Sequence, residues 1–95
     1  MKVNIRRNYS KIPEIRKDIK KLIADIARMN VKKIKETANI RDDLGVDSLA
    51  AMEILAAIEK RLGIVIDEAK AFDVVTVKDL MDLVMFYLEK KRNNS

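Results

Sequence analysis

The segment Asp42-Asp43-Leu44-Gly45-Val46-Asp47-Ser48-Leu49 is where residue types and spacing point to chemistry. Gly45 lets the chain turn sharply. Asp47 or Ser48 then suits the amino-terminal cap of a helix, because either side-chain oxygen can accept a free backbone N–H. A serine there faces the unpaired N–H groups of the first turn and the positive end of the helix dipole. A phosphate esterified to its hydroxyl would be stabilised by about 0.3–1 kcal/mol, rising to about 2 kcal/mol if partly shielded. The arrangement suits a serine that carries a phosphodiester. It does not suit a serine that attacks an acyl group unaided, since the chain has no His to act as its base. Asp42, Asp43 and Asp47 lack the alternation and glycine placement of a calcium loop, so they do not read as a metal site.

Composition narrows the classes further. The chain has 95 residues, which is enough for one domain with a modest core. With no Cys there is no disulfide framework, no thiolate zinc site and no cysteine nucleophile. With no His a Ser-His-Asp arrangement cannot form within the chain. No apolar run approaches the length of a membrane span, and MKVNIRRNYSK lacks the apolar stretch of a secretory signal. A soluble cytoplasmic protein is expected. Two Gly and one Pro, with abundant Ala, Leu, Ile, Lys and Glu, point to helices.

The net charge of +5 conceals a division. Residues 1–41 carry 13 basic and 4 acidic side chains, whereas residues 42–89 carry 4 basic and 11 acidic ones. The first part could attract anions and the second a basic partner. A nucleic-acid reading is not supported. The helix that begins at Ser48 opens Ser-Leu-Ala-Ala, without the basic or amide side chains of a recognition helix, and no aromatic platform for single strands is evident.

The elements that must position Ser48 follow from periodicity. Ile15, Ile19, Leu22, Ile23 and Ile26 make one apolar stripe and predict a first helix over about 13–29. Residues 30–47 form a long connection, anchored by Val31, Ile34, Ile40 and Leu44, with a short helical turn near Val31–Glu36. Leu49, Met52, Leu55, Ile58 and Leu62 lie at helical spacing, and Gly63 marks a helix end, which places the second helix at about 48–62. Asp67–Phe72 fits one or two turns. Thr76 caps a last helix lined by Val77, Leu80, Met81, Val84, Tyr87 and Leu88, and Phe72 and Phe86 are expected to pack. Ala51, Ala56 and Ala57 are either good helix formers or a space for a guest chain between helices. The expected fold is all-α: a small four-helix bundle with three main helices, one short third helix and a long first loop. Its divisions are a basic arm over 1–12, a helical domain over 13–89 and a basic tail over 90–95.

The string Asp43-Leu44-Gly45-Val46-Asp47-Ser48-Leu49 resembles the acyl carrier protein family. The likeness continues in Glu53, Glu59, Leu62-Gly63-Ile64-Val65-Ile66, Thr76-Val77, Asp79-Leu80 and Leu88, and covers roughly residues 13–89. It implies a carrier and not an enzyme. A phosphopantetheinyl transferase would move the 4'-phosphopantetheine of coenzyme A onto the Ser48 hydroxyl. The arm's thiol would carry an acyl chain as a thioester to acyl-loading and acyl-processing enzymes of fatty-acid, polyketide or related lipid biosynthesis. Asp47 resembles the family aspartate that helps the transferase's magnesium and positions the serine. Glu53 resembles an acid that meets basic patches on partners, alongside Leu49 and Met52 as apolar contacts, with Asp43 and Glu59 as further docking residues. The implied state is a monomer without a metal site of its own.

Departures from the family pattern matter. Ala50 stands where the main fatty-acid carriers usually have an acid, and Lys60 and Arg61 replace a further acidic pair. The whole chain is basic where the family is usually acidic, which predicts a specialised carrier with dedicated partners. The rival readings are an aminoacyl or peptidyl carrier, and an unmodified helical adaptor that binds a protein or an anionic surface through residues 1–41.

Overall fold

The computed structural model describes residues 12–93. Helix α1 spans Ile12–Ala27, and a single 3-10 turn follows at Val31–Lys33. Then come α2 at Ser48–Leu62, the short α3 at Glu68–Phe72 and α4 at Val77–Asn93. The expected all-α bundle of three long helices and one short one is the fold observed. Residues 1–11, most of the expected basic arm, lie outside the described residues.

The α1 stripe packs as its spacing predicts. Ile19 and Ile23 are buried, with Ile15, Leu22 and Ile26 packed beside them. The helix ends at Ala27 and not at 29, because Arg28 takes a left-handed conformation with φ 56°. Met29 N–H then closes back onto the Ala24 carbonyl at 3.0 Å. A glycine would have signalled this stop, and the sequence has none there.

On α2 the buried residues are Ile54 and Ile58, flanked by Ala50, Ala51, Leu55 and Leu62. Leu49 is 71% exposed and Met52 62% exposed. The apolar spacing therefore joined two different faces of one helix, since steps of three fit either row. Glu59 accepts Ile66 N–H at 2.7 Å and ties down the chain leaving the helix. Gly63, at φ 64°, closes the end, and Lys91 Nζ of α4 donates to the Leu62 carbonyl at 3.3 Å. The carboxyl ends of α2 and α4 therefore meet.

The core side of α4 is Val77, Leu80, Met81 and Val84, with Tyr87 and Leu88 packed against it. The helix continues through Lys90, Lys91 and Arg92 to Asn93, so the first residues of the expected tail form its last turn. Phe72 does not pack; it is 86% exposed at the end of the five-residue α3, and Ala71 and Val74 do the packing there. Phe86 is only half-covered, set edge-on to Tyr87 at 5.3 Å with Lys70 Nζ 4.6 Å from its ring centre.

The long connection is pinned by both side chains and backbone. Ile34, Leu44 and Val46 are buried, and Ile40 packs partly. Val31 is not an anchor: it is 38% exposed, because the 3-10 turn points it outward. Ile40 N–H donates to the Val75 carbonyl at 2.9 Å. In return, Val77 and Lys78 N–H donate to the Ala38 and Glu36 carbonyls at 3.0 and 2.8 Å. The loop thus satisfies donors that the start of α4 would otherwise leave open.

Candidate functional site

Ser48 stands on a base that its own loop makes rigid. Asn39 organises the turn. Its Oδ1 accepts Asp42 N–H at 2.8 Å, and its N–H donates to Asp43 Oδ2 at 2.8 Å. The Asn39 carbonyl also accepts Asp43 and Leu44 N–H, while Gly45 N–H reaches the Arg41 carbonyl at 3.1 Å. Gly45 takes φ 66°, and the buried Leu44 and Val46 hold the chain down on either side of it. Val46 appeared in the sequence only as part of the motif string. The structure makes it a core anchor directly ahead of the site.

Of the two candidate caps, the structure selects Asp47. Its backbone is extended and its Oδ1 accepts Ala50 N–H at 2.8 Å. Ser48 is consequently the first helical residue. Its side chain is exposed, and its hydroxyl makes no hydrogen bond among the described residues. The N–H groups of Ser48 and Leu49 likewise meet no acceptor among the described residues. The hydroxyl opens onto a shallow depression lined by Arg41, Gly45, Val46, Asp47 and Ser48. Sequence reasoning counted Arg41 only as one of many basic residues. Its place beside Ser48 depends on how the Asn39–Leu44 turn folds back.

The other singled-out residues divide. Leu49, Met52 and Glu53 are exposed on α2, within two turns of Ser48. Asp43 is exposed, but one of its oxygens is held by Asn39 N–H. Glu59 lies roughly 16 Å further along α2 at 1.5 Å per residue, and its Oε2 is occupied by Ile66 N–H. Of the three alanines, Ala51 packs against the core and Ala56 faces solvent as a helix former.

The donor set is that of an anion site. Among the described residues the Ser48 hydroxyl, Arg41 and the Asp47 cap line the depression at the positive end of α2, and the Ser48 and Leu49 N–H groups of that first turn have no acceptor. The chain has no His to act as a base for this hydroxyl, and among the described residues no carboxylate accepts a hydrogen bond from it. A phosphodiester on this oxygen fits the residues present.

The comparisons with known proteins converge on one family. A family model described as a phosphopantetheine attachment site matches residues 17–84. The chain is 34% identical over 70 residues to an acyl carrier protein of Nitratidesulfovibrio vulgaris, covering 74% of this chain and 92% of that protein. It is 32% identical over 75 residues to an acyl carrier protein of Rickettsia bellii, covering 79% and 87%. In structure it is similar to the apo doublet acyl carrier protein from prodigiosin biosynthesis, with a TM-score of 0.68 at 24% identity. That likeness covers 80% of this chain and 37% of the doublet, and it bears on fold alone. Helical fold, anion-ready serine and matched relatives agree: the chain belongs to the acyl carrier protein family, a phosphopantetheine carrier and not an enzyme.

Proposed function

We propose that Ser48 is the oxygen to which the 4'-phosphopantetheine arm is joined, and that the chain presents acyl intermediates to partner enzymes of fatty-acid, polyketide or related lipid biosynthesis. The observation that carries this reading is the exposed, unbonded Ser48 hydroxyl at the first turn of α2, beside a cap that Asp47 already completes. When bound, the arm supplies a terminal thiol that holds acyl cargo as a thioester. The chain's own part is to keep the attachment oxygen accessible, to stabilise the phosphodiester and to offer a docking face. Asp47 contributes twice, by holding the helix start with Oδ1 and by leaving carboxylate charge beside the serine for the transferase's magnesium.

Leu49, Met52 and Glu53 supply the docking face next to Ser48, with Asp43 at its edge. Glu59 contributes less, since one oxygen is committed to Ile66 N–H. Lys60 and Arg61 lower the negative charge of α2, and Arg61 pairs with Asp18 at 3.4 Å. Steering towards strongly basic partner surfaces is therefore weaker than for a fully acidic helix. That favours dedicated partners. A cytoplasmic, monomeric carrier fits this reading; among the described residues no helix is long and apolar enough to cross a membrane.

Incubation with coenzyme A, magnesium and a broad-specificity phosphopantetheinyl transferase tests the proposal. Intact mass is expected to rise by one phosphopantetheine group in the parent and to stay constant in Ser48→Ala, whose unfolding midpoint moves by less than about 0.5 kcal/mol in free energy. An unmodified parent, under conditions that modify a control carrier, would favour an adaptor that only retains the fold.

A further inference from the structure

We infer that Arg41 is a positioning residue that grips the phosphodiester of the arm and sets the direction in which the arm leaves the protein. The inference rests on the reading that Ser48 carries the arm. Among the described residues, Arg41 is the one cation that lines the depression at Ser48. Its backbone is immobilised on both sides. The Arg41 carbonyl accepts Gly45 N–H at 3.1 Å, and the preceding residue, Ile40, donates to Val75 at 2.9 Å and accepts Val46 N–H at 3.2 Å.

Its side chain is not spent elsewhere. The Arg41 guanidinium takes part in no ion pair or hydrogen bond among the described residues. The acids around it do not neutralise it by contact. Asp43 turns a carboxylate oxygen to Asn39 N–H at 2.8 Å, and Asp47 turns one to Ala50 N–H at 2.8 Å. Arg16 and Arg61, by contrast, are paired with Glu36 and Asp18.

A phosphodiester on Ser48 places a further negative charge beside Asp47, with Asp42 and Asp43 in the adjoining turn. Like charges at short range repel, and a guanidinium that bridges to the new one relieves this. Arginine suits the task better than lysine, because its planar fork can give two parallel N–H···O bonds to a phosphate. The open N–H groups of Ser48 and Leu49 approach the phosphate from the helix side, and Arg41 approaches it from the loop side. Held from two sides, the root of the arm loses freedom to swing, while the distal part stays mobile for delivery.

The test uses full-length parent, Arg41→Gln and Arg41→Lys, each treated with coenzyme A, magnesium and transferase. Intact mass first reads modification. Then the phosphorus NMR shift of the phosphodiester and the Arg41 Nε–H resonance are followed across a sodium chloride titration. The parent is expected to show an Arg41 Nε–H shift on modification. Its phosphorus line should lie apart from that of Arg41→Gln at low salt and converge on it at high salt, as screening predicts. Arg41→Lys should fall between them, since it restores charge but not the fork. The parent's modified form should also unfold at a higher midpoint than its unmodified form, and Arg41→Gln should lose that gap. A fully modified parent whose phosphorus line matches Arg41→Gln at every salt concentration would overturn the Arg41 role and leave the attachment reading standing. A parent that gains no mass would overturn both.

Discussion

The amino ends of α2 and α4 use similar cap residues and are finished to different degrees. At α4 the chain completes its own first turn. Val77 and Lys78 N–H are taken by the Ala38 and Glu36 carbonyls, and Asp79 N–H by Thr76 Oγ1 at 3.1 Å. The Asp79 carboxylate returns the contact to Thr76 and Val75 N–H at 3.0 and 3.1 Å. At α2, among the described residues, a single cap bond runs from Ala50 N–H to Asp47, and the N–H groups of Ser48 and Leu49 meet no acceptor. The first arrangement anchors a long loop. The second leaves donors and a hydroxyl open, which is what the proposed attachment of the arm at Ser48 requires. A helix start closed by its own fold is structural; one closed only as far as folding requires can serve a ligand.

Four substitutions sharpen or break this contrast. Thr76→Ala removes the acceptor for Asp79 N–H and should cost about 1–2 kcal/mol in urea unfolding, with the rate of phosphopantetheine transfer unchanged. A parallel fall in that rate would show that the two helix starts are not independent. Asp47→Ala should cost about 1 kcal/mol and, on the proposed role of this carboxylate at the transferase's magnesium, also slow transfer. Unaltered transfer kinetics would reduce Asp47 to a structural cap. Gly45→Ala meets nothing within 4 Å of its new Cβ, so its effect comes from the left-handed φ of 66° alone. A net loss of about 0.5–1 kcal/mol is expected, strain being partly offset by lower entropy in the unfolded chain. Slower transfer should accompany it, since the turn sets the position of Ser48.

The smallest effect is one of pH. The N–H groups of Thr76, and then of Val75, hold the Asp79 carboxyl below the ordinary carboxylate range. A depressed folded-state value means that this carboxylate stabilises the fold above the unfolded value of about 4. The contribution is lost as pH falls through the lower folded value. The gap in unfolding midpoint between parent and Asp79→Ala should therefore narrow from pH 7 to pH 3. The gap will be modest at every pH, because Asp79 is exposed and solvent screens it. A constant gap would mean that the carboxylate's charge plays no part in the cap.

The local grammar of the chain was legible because it acts over a few residues. Gly63 and the stripe through Ile58 and Leu62 mark α2 to the residue, as 48–62. Helix-end chemistry makes Ser48 suited to a phosphate, and the resemblance of the string around it to the acyl carrier protein family is what singles it out. The same short-range reasoning overran α1, where Arg28 ends the helix without a glycine to announce it. It also ran Leu49, Met52 and Ile58 together as one row at helical spacing, and packed Phe72, because apolarity does not say which side of a helix its neighbours occupy.

By itself, then, the sequence determined that helices form, where α2 begins and ends, and which hydroxyl stands at its start. Those are consequences of backbone bonds and caps spanning no more than about four residues. Only the tertiary structure decided that Ile54 is core while Leu49 and Met52 face solvent, and that Val46 anchors the loop while Val31 does not. It also decided that Arg41 shares a depression with Ser48. Each of these depends on where α1, α4 and the long connection lie against α2, which is fixed by burial and by bonds between residues distant in the chain.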